Sequence, residues 1–264
     1  MSAIIMTTIL GVTFMSVLTV GVDLAAEPPR TAVARLDWSP GRAHLTRLDL
    51  GADDATCLEA MLTADKTGID CPLGWPAPFI DFITAHREGN VTVPPGVPGL
   101  TWRRALTHRL TDHLVQARTG LRPLSPSADR IGHTTMRCAA LLAALADHGH
   151  PVDRRGTGAV AEVYPAASLK LWGLPHQGYK RPRNLSSLNT LVNRLKSSAP
   201  WLDLASFEPL CRKSDDALDA VICALTARAA ALGKTTTPSA EESPTAATEG
   251  WIALPTTPLA DLTP

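Results

Sequence analysis

Uncharged residues fill positions 16–22 and give way to a charge only at Asp23, a continuous apolar run that predicts a strand covered on both faces. Two extended runs, 31–38 and 42–50, flank Ser39-Pro40-Gly41 and predict a hairpin. Residues 53–64 place Leu58, Met61 and Leu62 on one side of a helix, and 67–71 reads as a short strand halted by Pro72. From 72 to 132 proline and loop signals dominate, with helical patches at 78–88 and 102–116, so this stretch is expected as an insertion over one end of the sheet. A strongly apolar helix follows at 134–148, ended by Gly149 and Pro151, and 159–164 is the next strand. Leu185, Leu188, Leu191 and Leu195 form a helical stripe. The segment 215–232 is apolar nearly all round, the mark of a helix buried against the sheet.

Three strands joined by hairpins, followed by strands separated by helices, predict an α/β fold with a mixed sheet and helices on its faces. The low-complexity run after Gly233 is expected as a flexible linker, 233–248. A tail at 249–264 then docks back through Trp251 and Ile252. Residues 1–22 contain no charge, yet no Lys or Arg precedes the apolar stretch, and Gly11, Gly21 and the threonines dilute it. That pattern argues against an export signal or a membrane span. It sets 1–14 apart as an N-terminal extension to a domain at 15–232.

Composition adds less than local charge does. Lys plus Arg balance Asp plus Glu at 25 each in 264 residues, so net charge selects no partner. Between 101 and 137, however, seven arginines oppose Asp112 and Asp129, and 179–197 holds five basic residues and no acid. A phosphate backbone suits such stretches; a solvated basic face is the competing reading. Five cysteines without a CxxC pair point to a reducing, cytoplasmic setting and exclude a disulfide or zinc framework. The absence of HExxH removes the commonest zinc-hydrolase signature.

Five carboxylates stand at the ends of apolar segments: Asp23, Asp70, Glu162, Asp216 and Asp219. Isolated ionised carboxylates are costly to bury, and several together repel unless a cation or proton neutralises them. Asp216 and Asp219 are three apart on a helix and share a face. Ser214 as N-cap and the helix dipole account for Asp215 and Asp216 equally well, but neither reaches Asp219. Asp23 and Asp70 are open to a turn-capping role, and Glu162 to an outward place on an edge strand. As a cluster, the acids suit Mg2+ or Mn2+, which prefer all-oxygen sites. Paired ions of this kind hydrolyse phosphodiesters.

Together VGVDLA, GIDCPLGWP, RLTD at 109–112, EVYPAA at 162–167, the GYK ending at Lys180, and DDALDAVICALTA resemble the family called domain of unknown function 429. The resemblance spans 17–252. It is a predicted-nuclease family placed in the ribonuclease H-like superfamily, and the resemblance implies a five-stranded mixed sheet with its first strand central. The related Holliday-junction resolvase group binds metal through an acid on the first strand, one after the fourth, and a D-x-x-D pair opening the last helix. Carried over, these become Asp23, Asp70, Asp216 and Asp219, with Glu162 a further candidate ligand. Arg109, Thr111, Asp112, Tyr164 and Lys180 belong to the family's own pattern and are assigned to substrate contact. The implied activity is metal-dependent cleavage of DNA or RNA without a membrane partner. A phosphotransferase or ATPase of the same sheet needs glycines beside its first Asp, where this chain has Leu-Ala-Ala-Glu-Pro-Pro. A non-catalytic nucleic-acid-binding module is the remaining alternative.

Overall fold

A computed structural model describes residues 6–9, 12–15 and 17–263. β1 (Met6–Ile9) and β2 (Val12–Met15) pair antiparallel as a separate two-stranded ladder within and just beyond the stretch expected as an extension; the rest of 1–14 lies outside the described residues. The main sheet starts at β3 (Val17–Asp23), and β4 (Ala32–Ser39) and β5 (Arg42–Leu50) follow as the hairpin. Its turn uses Gly41 at φ +76°, a left-handed conformation that disfavours any side chain. α1 (Asp54–Thr63) is capped by Asp53, whose carboxylate accepts from the Thr56 N–H at 2.8 Å, and leads into β6 (Lys66–Asp70).

The insertion carries α2 (Ala77–Arg87), α3 (Gly99–Ala105) and α4 (Leu110–Thr119). Two helices thus replace the single patch expected at 102–116, because Arg109 begins a new N-terminus at which the Asp112 carboxylate accepts from the Arg109 backbone N–H. α5 (Gly132–Asp147), β7 (Val160–Glu162), α6 (Pro165–Leu171), α7 (Leu185–Ser198), β8 (Leu202–Asp203), α8 (Glu208–Cys211), α9 (Asp215–Ala231) and α10 (Ser243–Glu249) complete the chain. None of these helices among the described residues is long and apolar enough to cross a membrane.

The sheet has six strands, not five, in the open order β7-β6-β3-β4-β5-β8. The additional strand is a two-residue edge, paired parallel to β5 and fastened by Leu202 in the core and by Asp203 against Arg42 and His44. β3 runs antiparallel to β4 and parallel to β6, which in turn runs parallel to β7. One face is covered by α9 and α7, the other by α1 and α5. α9 lies unusually close to the sheet, since a Cβ on Gly21 would stand 1.9 Å from the Ala220 carbonyl oxygen and one on Gly68 2.4 Å from that of Cys223. That approach sets the start of α9 over the C-terminal ends of β3 and β6.

Segment 233–248, expected as a linker, instead carries α10 and is tied down on both sides. Thr236 N–H donates to the Leu254 carbonyl, and Ile252 bridges in parallel to Glu162 at the sheet edge. Low complexity signals poor intrinsic burial, and these tertiary contacts supply what composition lacks.

Candidate active site

Asp23 and Asp70 are the last residues of β3 and β6 and stand directly opposite each other in the parallel register. Neighbouring strands lie about 4.8 Å apart, so the two carboxylates share one end of the sheet. That end, beyond the carboxyl termini of parallel strands, is where α/β sheets hold ligands. Both are partly exposed, so this end of the sheet, hereafter the recess, meets solvent. Asp219 faces them from α9 and is fully buried. Its position follows from helical periodicity: Ser214 caps the helix through the Ala217 N–H at 3.2 Å, and Asp219 falls on the turn that meets the sheet.

The three acids perturb one another. Burial, then repulsion from Asp219 and Asp70, raises the Asp23 pKa well above the carboxylate range. Burial raises Asp70 to about 7, with Asp219 and Glu162 adding to it and Lys180 opposing. Asp219 is raised by burial but held back by Lys180 and by the Tyr179 hydroxyl. Tyr179 donates to Asp219 Oδ1 at 2.8 Å, and Lys180 Nζ lies 2.6 Å from Oδ2. Attraction to Asp219, then to Asp70 and Asp23, raises the Lys180 pKa against the cost of burial. Tyr164 adjoins the same cluster: burial and then Asp70 raise its phenol. Lys180 sits on a constrained turn, between Gly178 at φ +75° and Arg181 at φ +83°. Positive φ at a non-glycine residue is strain of the kind retained at functional sites.

The remaining candidates are placed elsewhere. Asp216, one turn earlier on α9, pairs at 2.7 Å with Arg30, whose side chain is 70% exposed, so this acid sits at the rim. Glu162 does not open onto the recess as a free ligand, because both its oxygens are engaged. Oε2 accepts from the Leu73 N–H at 3.0 Å and from Arg109 at 2.7 Å, and Oε1 accepts from Arg109 at 2.6 Å. Burial raises the Glu162 pKa, and Arg109 opposes that rise.

Arg109, expected at a substrate, is 1% exposed. Its five N–H donors are all used: two on Glu162, two on Asp112 and one on the Glu249 carbonyl. Burial pulls its pKa down, and the two carboxylates more than reverse this. No donor remains for a phosphate. Asp112 is spent on the same guanidinium, and Thr111 Oγ1 accepts from the Ile252 N–H at 2.9 Å. Arg109, Thr111 and Asp112 therefore brace the insertion against β7 and the C-terminal segment. Sequence reasoning missed Glu249, whose carboxylate accepts from the Ala77 and Leu110 N–H groups, and Tyr179, whose place directly before Lys180 was the available signal.

Chemically, the recess offers hard oxygen donors from three elements opposed by one ammonium, a donor set of the kind magnesium and manganese take. Among the described residues no three His, Cys, Asp or Glu side chains stand in ligating arrangement as they lie; Lys180 faces the carboxylates instead. Cys71 beside Asp70 is buried, and burial together with Cys138 raises its thiol well above the usual range, so it is no nucleophile.

No curated protein and no solved structure shows significant similarity to this chain. The family described as Protein of unknown function (DUF429) matches residues 21–243, from the middle of β3 to the start of α10 and across every acid of the recess, and the chain belongs to that family.

Proposed function

We propose that this protein is a divalent-metal-dependent nuclease hydrolysing phosphodiester bonds of DNA or RNA, with Asp23, Asp70 and Asp219 as its central carboxylates and Mg2+ or Mn2+ as cofactor. One observation carries the reading: two acids in register on adjacent parallel strands face a fully buried third, with a single lysine to offset them. A fold has no structural use for such a cluster, since it costs stability wherever the acids ionise. When bound, a divalent ion there supplies a nucleophilic water at neutral pH and neutralises charge on the leaving oxygen.

The chain's own residues do the rest. Asp23 and Asp70 present their oxygens from rigid strand ends, which keeps their spacing fixed. Tyr179 orients Asp219 by donating to one oxygen and leaving the other toward the recess. Lys180, with its side chain about half exposed, keeps the carboxylates tolerable and would be free to meet a phosphate if a cation took over that role. Asp216 joins from the rim, since its exposed pairing with Arg30 is worth little. Five of the strands, β7 to β5, place β3 centrally with β4 antiparallel beside it, and this order supports a ribonuclease H-like assignment.

The test is cleavage of a panel of single-stranded, duplex and branched DNA and RNA with magnesium or manganese, beside Asp23→Asn and Asp219→Asn. Calorimetric titration with manganese accompanies it. Metal-dependent cleavage lost in both variants supports the assignment; cleavage that survives both, or no manganese uptake by the intact chain, removes it.

A further inference from the structure

The helical pair α2 and α3 is built unlike the rest of the molecule. Neither helix buries a single residue, although each carries large apolar and aromatic side chains. Five of the ten large hydrophobics that stand exposed among the described residues fall between 83 and 100, with Val93 58% and Leu100 56% exposed. Scattered surface leucines are ordinary, but exposed apolar side chains concentrated in one stretch of the chain mark a contact surface. A cleft of about 420 Å³ runs between the two helices, lined by Phe82, Val91, Pro94 and Trp102. Its rings are graded in orientation: Phe82 stacks near-parallel on His86 at 6.5 Å and tilts against Trp102 at 5.9 Å.

The charges around the rings identify the occupant. Arg103 holds its guanidinium 5.9 Å from the Trp102 ring, and neither Arg103 nor Arg104 has an ion-pair partner among the described residues. Arg87 meets only its neighbour Glu88, at 3.6 Å, and Asp81 is the one acid lining the cleft. Aromatic faces interleaved with unpaired guanidiniums match the alternation of base and phosphate along a single strand. A hydrophobic protein segment would use the rings and leave both arginines idle. Position agrees. α2 begins seven residues after Asp70, from the same end of the sheet, and its first N–H is pinned by Glu249 at 2.8 Å.

We infer that the α2–α3 pair is a stacking surface for single-stranded nucleic acid, holding the strand that extends from the carboxylate recess. This rests on the nuclease reading for the identity of the recess, but binding is separable from cleavage. The experiment is fluorescence anisotropy of labelled oligo-dT, oligo-rU and a duplex of equal length on the full chain in EDTA, where cleavage is absent. Single strands bind at least tenfold more tightly than duplex, and the two single-strand arms assign DNA or RNA. Trp102→Ala and Phe82→Ala each weaken single-strand binding about tenfold or more, the usual effect of losing one stacked base. Because either truncation could loosen the helical pair, Arg103→Glu/Arg104→Glu provides a second variant at two exposed positions that keeps both rings in place. It weakens binding and flattens the salt dependence by about 1.4 in log–log slope, for two lost contacts. Unchanged binding in the aromatic variants and in the charge-reversed one overturns the inference, as does a chain that binds no single strand. Metal-dependent cleavage with unaltered binding in these variants leaves the nuclease reading standing and removes only the stacking surface. Strand binding lost in Trp102→Ala, with inert carboxylates, does the reverse.

Discussion

Replacing Asp70 by Asn removes a carboxyl that holds its proton far more tightly in the folded chain than in the unfolded one. Its pKa rises from 3.8 to about 7, first through burial. The sign follows from linkage: below pH 3.8 both states are protonated and the group is neutral toward stability. As pH climbs from there, the unfolded chain releases the proton and the folded chain does not, so stability falls until about pH 7 and then levels. Three pH units correspond to about 4 kcal/mol, and the solvent contact that Asp70 keeps reduces this to about 2–3 kcal/mol. In EDTA at pH 8, Asp70→Asn is therefore the more stable protein, melting about 5–10 °C higher. At pH 4.5 the margin shrinks to about a quarter of that.

Thermal melting of both proteins at the two pH values is the assay. Manganese at pH 8 reverses the order, since the wild-type chain gains from neutralising its acids while the variant has lost a donor. An Asp70→Asn protein that melts below wild type in EDTA at pH 8, or by the same margin at both pH values, refutes the reasoning. Either result would mean that Asp70 is a satisfied structural carboxylate.

Other perturbations test the frame around the recess. Arg109→Met leaves Glu162 and Asp112 buried without their cation and costs about 3–5 kcal/mol in urea unfolding; a loss below about 1 kcal/mol would show that the network is dispensable. Gly21→Ala drives a Cβ into the Ala220 carbonyl, which α9 cannot yield, so the variant loses about 3 kcal/mol or more or accumulates insoluble; near-wild-type melting would contradict the close approach. All five thiols are buried, with burial pushing Cys57 up to about 11 and Cys211 to about 12. A disulfide reagent at pH 8 accordingly modifies none in the native state and five after denaturation, and a fast-reacting native thiol would count against that packing.

What the sequence disclosed, and what it concealed, divides by distance along the chain. Ser39-Pro40-Gly41, the stop at Pro72 and the Ser214 cap act within a few residues, and each element they punctuate is present. The same local reasoning separated Asp219 from Asp215, because only a residue past the first turn escapes both the dipole and the cap, and Asp219 is the one fully buried. The partner of Glu162 was illegible: Arg109 lies 53 positions away, inside a stretch where a run of arginines reads as surface charge. One of those arginines supports the insertion from within while Arg103 and Arg104 remain outside, and composition treats them alike. β8 and α10 were equally hidden, since a two-residue strand takes shape through its pairing and a Thr-Ala-Glu helix through distant contacts, those of Glu249 and of Arg154 and Arg155 among them.

Glu162 also ties that internal frame to the recess. Its charge contributes to the raised pKa of Asp70, so anything that leaves Glu162 less neutralised pushes Asp70 further toward its protonated form. Arg109 is what neutralises it, and Arg109 in turn is held by the Glu249 carbonyl, while Glu249's carboxylate fastens the starts of α2 and α4. Gly250 follows with φ +93°, where a Cβ would meet Glu162 at 2.9 Å and Arg109 at 3.1 Å, so the backbone must pass here without a side chain. The C-terminal segment, the insertion and the carboxylate recess are thereby joined through one guanidinium. Loosening the tail would shift the protonation of Asp70 without touching any residue of the recess itself.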